Sequence, residues 1–138
     1  MDRNKNLHAQ AEPFEPAVLI RGETSLEDSG LAARVMPTPG HTAGSVSVLT
    51  DDGHLVAGDL IANSFMGLIP GKPANPPFHD NPRQNLVSLR RMLALNPATL
   101  HVGHGTLLDP DRVRQCADRE HGSLARLEAA GRLATRSE

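Results

Sequence analysis

Three short apolar runs in this chain each lead straight into a glycine-flanked polar residue. Residues 31–36 precede Thr38-Pro39-Gly40-His41-Thr42-Ala43-Gly44-Ser45, residues 55–57 precede Gly58-Asp59, and residues 99–102 precede Gly103-His104-Gly105. Runs of this length, closed by turn residues, read as strands rather than helices. A polar group just past the end of each of three strands is what a site at one edge of a sheet requires, and such a site is assembled only by tertiary folding. Glycine beside each group lets the backbone turn sharply and come close to whatever is bound.

The strongest local unit lies between the first two motifs. Val46 and Val48 alternate with Ser45 and Ser47, and Asp51-Asp52-Gly53 turns the chain into residues 55–57, which predicts a β-hairpin. A further strand is expected at residues 17–20, ended by Arg21-Gly22. Residues 61–81 carry Pro70, Gly71, Pro73, Pro76 and Pro77 too closely for regular structure and are expected to form a long functional loop. Asn81 and Pro82 then cap a helix with Leu86, Leu89 and Leu93 on one face, closed by Asn96-Pro97. Asp109-Pro110 opens another, with Val113, Cys116 and Ala117 on one face and Leu124 and Leu127 continuing it past Gly122. The division is therefore a polar N-terminal tail over residues 1–16, an α/β domain over 17–131 and a C-terminal tail over 132–138.

Composition excludes several roles. The 138 residues carry 14 basic and 16 acidic side chains, with no Trp or Tyr and three Phe, so neither a polybasic surface nor a base-stacking platform is present and nucleic acid is not a partner. No apolar run approaches the ~20 residues of a membrane span, and residues 1–16 do not resemble a signal peptide. The lone Cys116 forms no metal or redox pair and reads as a small core residue. A cytoplasmic location is the expectation.

His41, Asp59 and His104 are the candidate metal ligands. Imidazole and carboxylate suit Zn(II), and also Fe(II) or Mn(II); an open coordination position on zinc lowers the pKa of bound water to about 7 and gives a hydroxide nucleophile. A carboxylate can also bridge two ions. No catalytic residue beyond these ligands is assignable. His101 reads as a surface or satisfied core residue, while His54 and His121 read as solvent-facing. Phe65, Met66, Phe78 and His79, from the long loop that follows Asp59, are the candidate wall of a small-molecule substrate pocket.

The Thr38–Ser45 string, Gly58-Asp59 and Gly103-His104-Gly105, in that order, resemble the later motifs of the metallo-β-lactamase-fold hydrolases, the group that includes glyoxalase II-like thioesterases and lactonases. The resemblance covers about residues 18–119. It implies an αβ/βα sandwich, of which the C-terminal half is matched here as a mixed sheet with flanking helices. It further implies that His41 ligates a first metal ion, that Asp59 bridges, that His104 ligates a second, and that the substrate is a small ester, thioester or lactone. The family's upstream His-x-His-x-Asp-His cluster has no counterpart; the one earlier histidine is His8, in Leu7-His8-Ala9-Gln10. The alternatives are an enzyme whose site is completed by an assembly partner or a further N-terminal part, an inactive half-domain that dimerises through an uncovered sheet face, and a truncated product of a longer enzyme. That uncovered face is expected to carry Val35, Val46, Val48 and Leu55.

Overall fold

The computed structural model describes residues 15–16, 18–65 and 67–134, and side chains as far as residue 123. A five-stranded sheet is built from β1 (Thr24–Ser25), β2 (Ala33–Pro37), β3 (Val46–Thr50), β4 (His54–Gly58) and β7 (Thr99–Val102), in that spatial order. The first four strands form an antiparallel meander, and β7 adds in parallel beside β4. Parallel pairing needs a long crossover. Here the crossover holds the hairpin β5 (Ala62–Ser64) and β6 (Ile69–Ala74), then helix α1 (Pro82–Leu93); helix α2 (Pro110–Ala134) follows β7.

The predicted hairpin forms, with Val48 opposite Val56 and Leu49 opposite Leu55. Its facing is the reverse of what the valines suggest. Ser47 is 1% exposed and Val46 is 45% exposed. Ser47 can be buried because its hydroxyl meets that of Thr38 at 2.9 Å, so neither leaves water without a partner. Leu49, Leu55, Ala57 and Leu100 share the Ser47 side and form the core with Leu60, Leu86, Leu89, Met92, Leu108 and Val113. The opposite face therefore carries Val46 and Val56, both exposed, half-buried Val48 and Val35, which is buried, and Leu55, expected on that face, lies on the other.

Both helices begin where capping chemistry places them. Asn81 accepts a hydrogen bond from the Gln84 amide at 3.0 Å with Pro82 at the first position, and Asp109 accepts one from the Arg112 amide at 2.9 Å. Helix α1 presents Leu86, Leu89, Met92 and Leu93 to the sheet together with two buried polar residues, Asn85 and Ser88. Helix α2 buries Val113 and Ala117, while Cys116 is half-buried and donates weakly to the Pro73 carbonyl. It continues past Gly122 to Ala134.

Two expectations fail. Residues 18–20 form no strand, and Ala17 lies outside the described residues. Val18 and Leu19 are exposed because the sheet edge beside β2 is taken by Thr24 and Ser25. The proline-rich stretch is not wholly irregular: β6 contains Pro70 and Pro73 yet pairs with β5. Proline is tolerated because β6 has a partner on one side alone and need not donate on the other.

Candidate metal centre

Asp59 is aimed by a defect in the sheet. Between Val56 and Gly58 the register of β4 against β7 shifts by a bulge, and Gly58 sits at φ 58°, a left-handed conformation that favours glycine. Gly58 then pairs with Val102, so Asp59 and Gly103 leave the sheet side by side, with Gly103 N–H donating to the Gly58 carbonyl at 3.1 Å. Gly103 is required for a second reason. A Cβ there would lie 2.3 Å from Asp59 Oδ1.

The loop carrying His41 joins β2 to β3 and is folded on itself by hydroxyls: Ser45 Oγ accepts from the Thr42 amide at 3.1 Å and meets the Thr42 hydroxyl at 2.9 Å. Helix α1 clamps its base, Ser88 donating to the Pro39 carbonyl at 2.7 Å and Asn85 Nδ2 to the Leu60 carbonyl, next to Asp59, at 2.9 Å. Gly40 packs so tightly on this helix that a Cβ would fall 2.2 Å from the Asn85 amide nitrogen. The His104 loop is held by Asn63, whose amide N–H donates to the His104 carbonyl at 3.0 Å and whose side chain donates to the Thr106 carbonyl at 2.7 Å.

These elements bring His41, Asp59 and His104 together. His41 Nε2 lies 3.7 Å from Asp59 Oδ2, and His104 Nε2 lies 3.8 Å from Asp59 Oδ1. Both separations are too long for hydrogen bonds. They are close to the ~3.4 Å between two ligands of one tetrahedral zinc at ordinary bond lengths. Asp59 Oδ1 is buried without a hydrogen-bond partner, a costly state for a carboxylate oxygen unless a cation or water meets it. Among the described residues no three His, Cys, Asp or Glu side chains form a ready nest for one ion. The two imidazoles instead address opposite oxygens of one carboxylate, the disposition of a bridging ligand. The residues fit zinc in donor type and spacing.

His79, placed by sequence in a pocket wall, lies against the site. Its Nδ1 is 3.4 Å from His41 Nδ1, with the rings edge-on at 5.3 Å. The segment is tied down by the Asp80 and Asn81 amides, which donate to the His41 and Gly40 carbonyls at 3.1 and 2.9 Å. Burial, and then neighbouring His41, hold the His79 imidazole below its ordinary pKa, with Asp59 opposing. A neutral His79 can accept from His41 Nδ1–H, which leaves the His41 Nε2 lone pair facing Asp59, the tautomer a metal ligand needs. Phe78 is exposed beside His79 on the rim of a cavity also lined by His41, Thr42, Pro77 and Asp80. Phe65 lies elsewhere, 72% exposed at the tip of the β5–β6 hairpin. That tip approaches the His104 loop, since a Cβ on Gly67 would lie 2.8 Å from the Gly105 nitrogen. Met66 lies outside the described residues.

Asn63, Asn85 and Ser88 were not evident from the sequence as supports of the site. Each is an ordinary polar residue locally, and only burial at the contact of helix or hairpin with a ligand loop gives it a role.

The sequence matches the profile of the metallo-beta-lactamase superfamily over residues 3–104. It is 33% identical over 127 residues to a hydroxyacylglutathione hydrolase of Acidiphilium cryptum, a match covering 86% of this chain and 49% of that protein. A metallo-beta-lactamase fold-containing protein of Sulfurisphaera tokodaii is 31% identical over 96 residues, 70% of this chain and 35% of that one. Among solved structures, a metallo-beta-lactamase family protein from Thermus thermophilus superposes with a TM-score of 0.57 at 29% identity, over 85% of this chain and 38% of its own. The chain thus spans about half, or less, of the length of these relatives.

Proposed function

This chain belongs to the metallo-beta-lactamase superfamily, and we propose that it forms the Asp59-centred part of a metal-dependent hydrolase site acting on a small ester, thioester or lactone. The observation that carries the reading is the approach of His41 and His104 to opposite oxygens of the partly buried Asp59 carboxylate. Zinc is the proposed metal, as one or two ions, with iron or manganese as chemically allowed substitutes. When bound, it supplies Lewis acidity toward an acyl carbonyl and lowers the pKa of a coordinated water to about 7.

The chain's own residues have separable tasks. Asp59 would supply the carboxylate that holds the metal, and His41 and His104 would supply the imidazole ligands on its two sides. His79 orients His41 through its far nitrogen and sits at the mouth of the adjoining cavity. Phe78 gives that mouth an apolar rim suited to the carbon skeleton of an ester or thioester. The relative named hydroxyacylglutathione hydrolase supports a thioester as the first substrate class to try. A cytoplasmic setting accords with a single cysteine, and among the described residues no helix is long and apolar enough to cross a membrane.

Metal analysis of purified protein, with thioester and lactone hydrolysis after Zn(II) or Mn(II) addition, tests the proposal. Fewer than about 0.1 ion per chain together with no turnover would sink it. Metal at this site is expected to disappear in His41→Ala and in Asp59→Ala and to persist in His121→Ala.

A second reading is favoured by the sheet face opposite the core, where Val46 and Val56 are 45% and 46% exposed. On this reading the chain is an interaction module without activity of its own, and two copies dimerise by stacking their open faces into a helix–sheet–sheet–helix sandwich. Sedimentation equilibrium distinguishes the readings: Val56→Lys converts a dimer to monomer, whereas a wild-type monomer with one cooperative melt removes the second reading.

A further inference from the structure

We propose a second cation site, formed by His54 and His101 on the open face of the sheet. The parallel register of β4 and β7 sets His54 beside Thr99 and Val56 beside His101, so the two histidines are diagonal neighbours on one face. His101 Nε2 lies 3.2 Å from His54 Nδ1, with ring centroids 5.3 Å apart and planes crossed at 62°. His54, which the sequence placed in solvent by itself, is half-buried in this cluster.

Two imidazole nitrogens this close cannot both aim lone pairs at each other. A proton or a metal ion must lie between them. The spacing suits the ion, because two nitrogens bound to one tetrahedral centre at ordinary bond lengths stand about 3.3 Å apart. Surrounding groups favour the ligating form. Asp52 Oδ2 lies 3.7 Å from His54 Nε2, on the ring edge away from His101, and biases the proton to Nε2 so that the Nδ1 lone pair is free. Thr99 Oγ1 lies 2.7 Å from the same Nδ1 and so shares its single lone pair with His101 when no ion is present; an ion there would displace the hydroxyl from Nδ1.

The donor set selects the cation class. Two imidazoles suit Cu(II), Ni(II) or Zn(II), with Cu(II) held tightest, and offer nothing to Mg(II) or Ca(II), which need several anionic or carbonyl oxygens. Among the described residues no third His, Cys, Asp or Glu joins the pair, so the remaining positions face solvent. Five positions along β4 separate His54 from Asp59 and three along β7 separate His101 from His104, roughly 16 and 10 Å at strand rise, so the two sites share no ligand.

Cu(II) titration of a His41→Ala/His104→Ala variant isolates the second site. Electron paramagnetic resonance is expected to show one equivalent of Cu(II) coupled to two imidazole nitrogens. Adding His54→Gln or His101→Gln, each checked by circular dichroism for an intact fold, is expected to weaken binding by at least ~10-fold and to reduce the coupled nitrogens. Absence of stoichiometric Cu(II) binding in the parent variant, or binding left undiminished by the glutamine substitutions, overturns the proposal. The first site plays no part in this readout, so the hydrolase reading can fail while this one stands, and the reverse.

Discussion

Replacing Gly103 by alanine separates the proposed metal centre from the fold that carries it. The added Cβ would lie 2.3 Å from Asp59 Oδ1. An ordinary carbon–oxygen contact is about 3.3 Å, so the carboxylate must retreat by about 1 Å. That is several times the ~0.2 Å latitude of a metal–ligand bond, and Asp59 faces both imidazoles at once. The backbone, by contrast, is not the obstacle: Gly103 does not have a positive φ, and the atoms nearest to a Cβ there belong to the Asp59 carboxylate. Gly103→Ala is therefore expected to lower zinc affinity at least 10–100-fold, measured by competition with a chromophoric chelator, while the melting temperature moves by no more than about 4 °C. A crystal structure of the variant supplies a readout independent of metal, the displacement of the Asp59 carboxylate. An unmoved carboxylate with wild-type zinc affinity would refute the reasoning, as would a collapse of the fold.

Three further expectations rest on other parts of the molecule. Leu89 is fully buried beneath the sheet, and Leu89→Ala should cost about 2–5 kcal/mol in urea unfolding; a loss below 1 kcal/mol would show that α1 is not packed as described. Asn85→Ala removes the bond to the Leu60 carbonyl and leaves that oxygen buried, at a cost of about 1–3 kcal/mol by the same assay, with weaker metal binding because the Leu60 backbone next to Asp59 loses its clamp. Burial raises the carboxyl pKa of Glu120 above its ordinary 4.5, so its contribution to stability is full below that value and is lost as pH rises through the folded pKa. Glu120→Gln, which keeps an acceptor for Asn75 Nδ2, should thus gain melting temperature relative to wild type at pH 7 more than at pH 4, and an equal difference at both would refute the assignment.

What the sequence disclosed was local chemistry whose outcome has few alternatives. Asp51-Asp52-Gly53 forms its hairpin, Asn81-Pro82 and Asp109-Pro110 start their helices, and His41, Asp59 and His104 leave neighbouring loops and strands at one end of the sheet. What it concealed depends on partners remote in the chain. Nothing near Ser47 announces that Thr38 will satisfy its hydroxyl in the core and turn Val46 outward. Pro70 and Pro73 argue against a strand until an edge position removes the objection. Residues 17–20 have strand-like composition, but the edge they would need is already paired. His79 and the pairing of His54 with His101 arise from a crossover and a parallel register, neither of which leaves a periodicity to read.

The parallel register of β4 and β7 gives the centre an uneven sensitivity to kinds of genetic change. Asp59 and His104 meet because Gly58 and Val102 are in step. Substitutions along β7 leave that step intact. A single inserted or deleted codon within Thr99–Val102 shifts every later residue by about 3.3 Å and exchanges the two faces of the strand. Fully buried Leu100 would be driven toward the open face and His101 into the core, while His104 would move out of line with its carboxylate. Lineages that retain this chemistry should therefore accumulate point changes in β7 and length changes elsewhere.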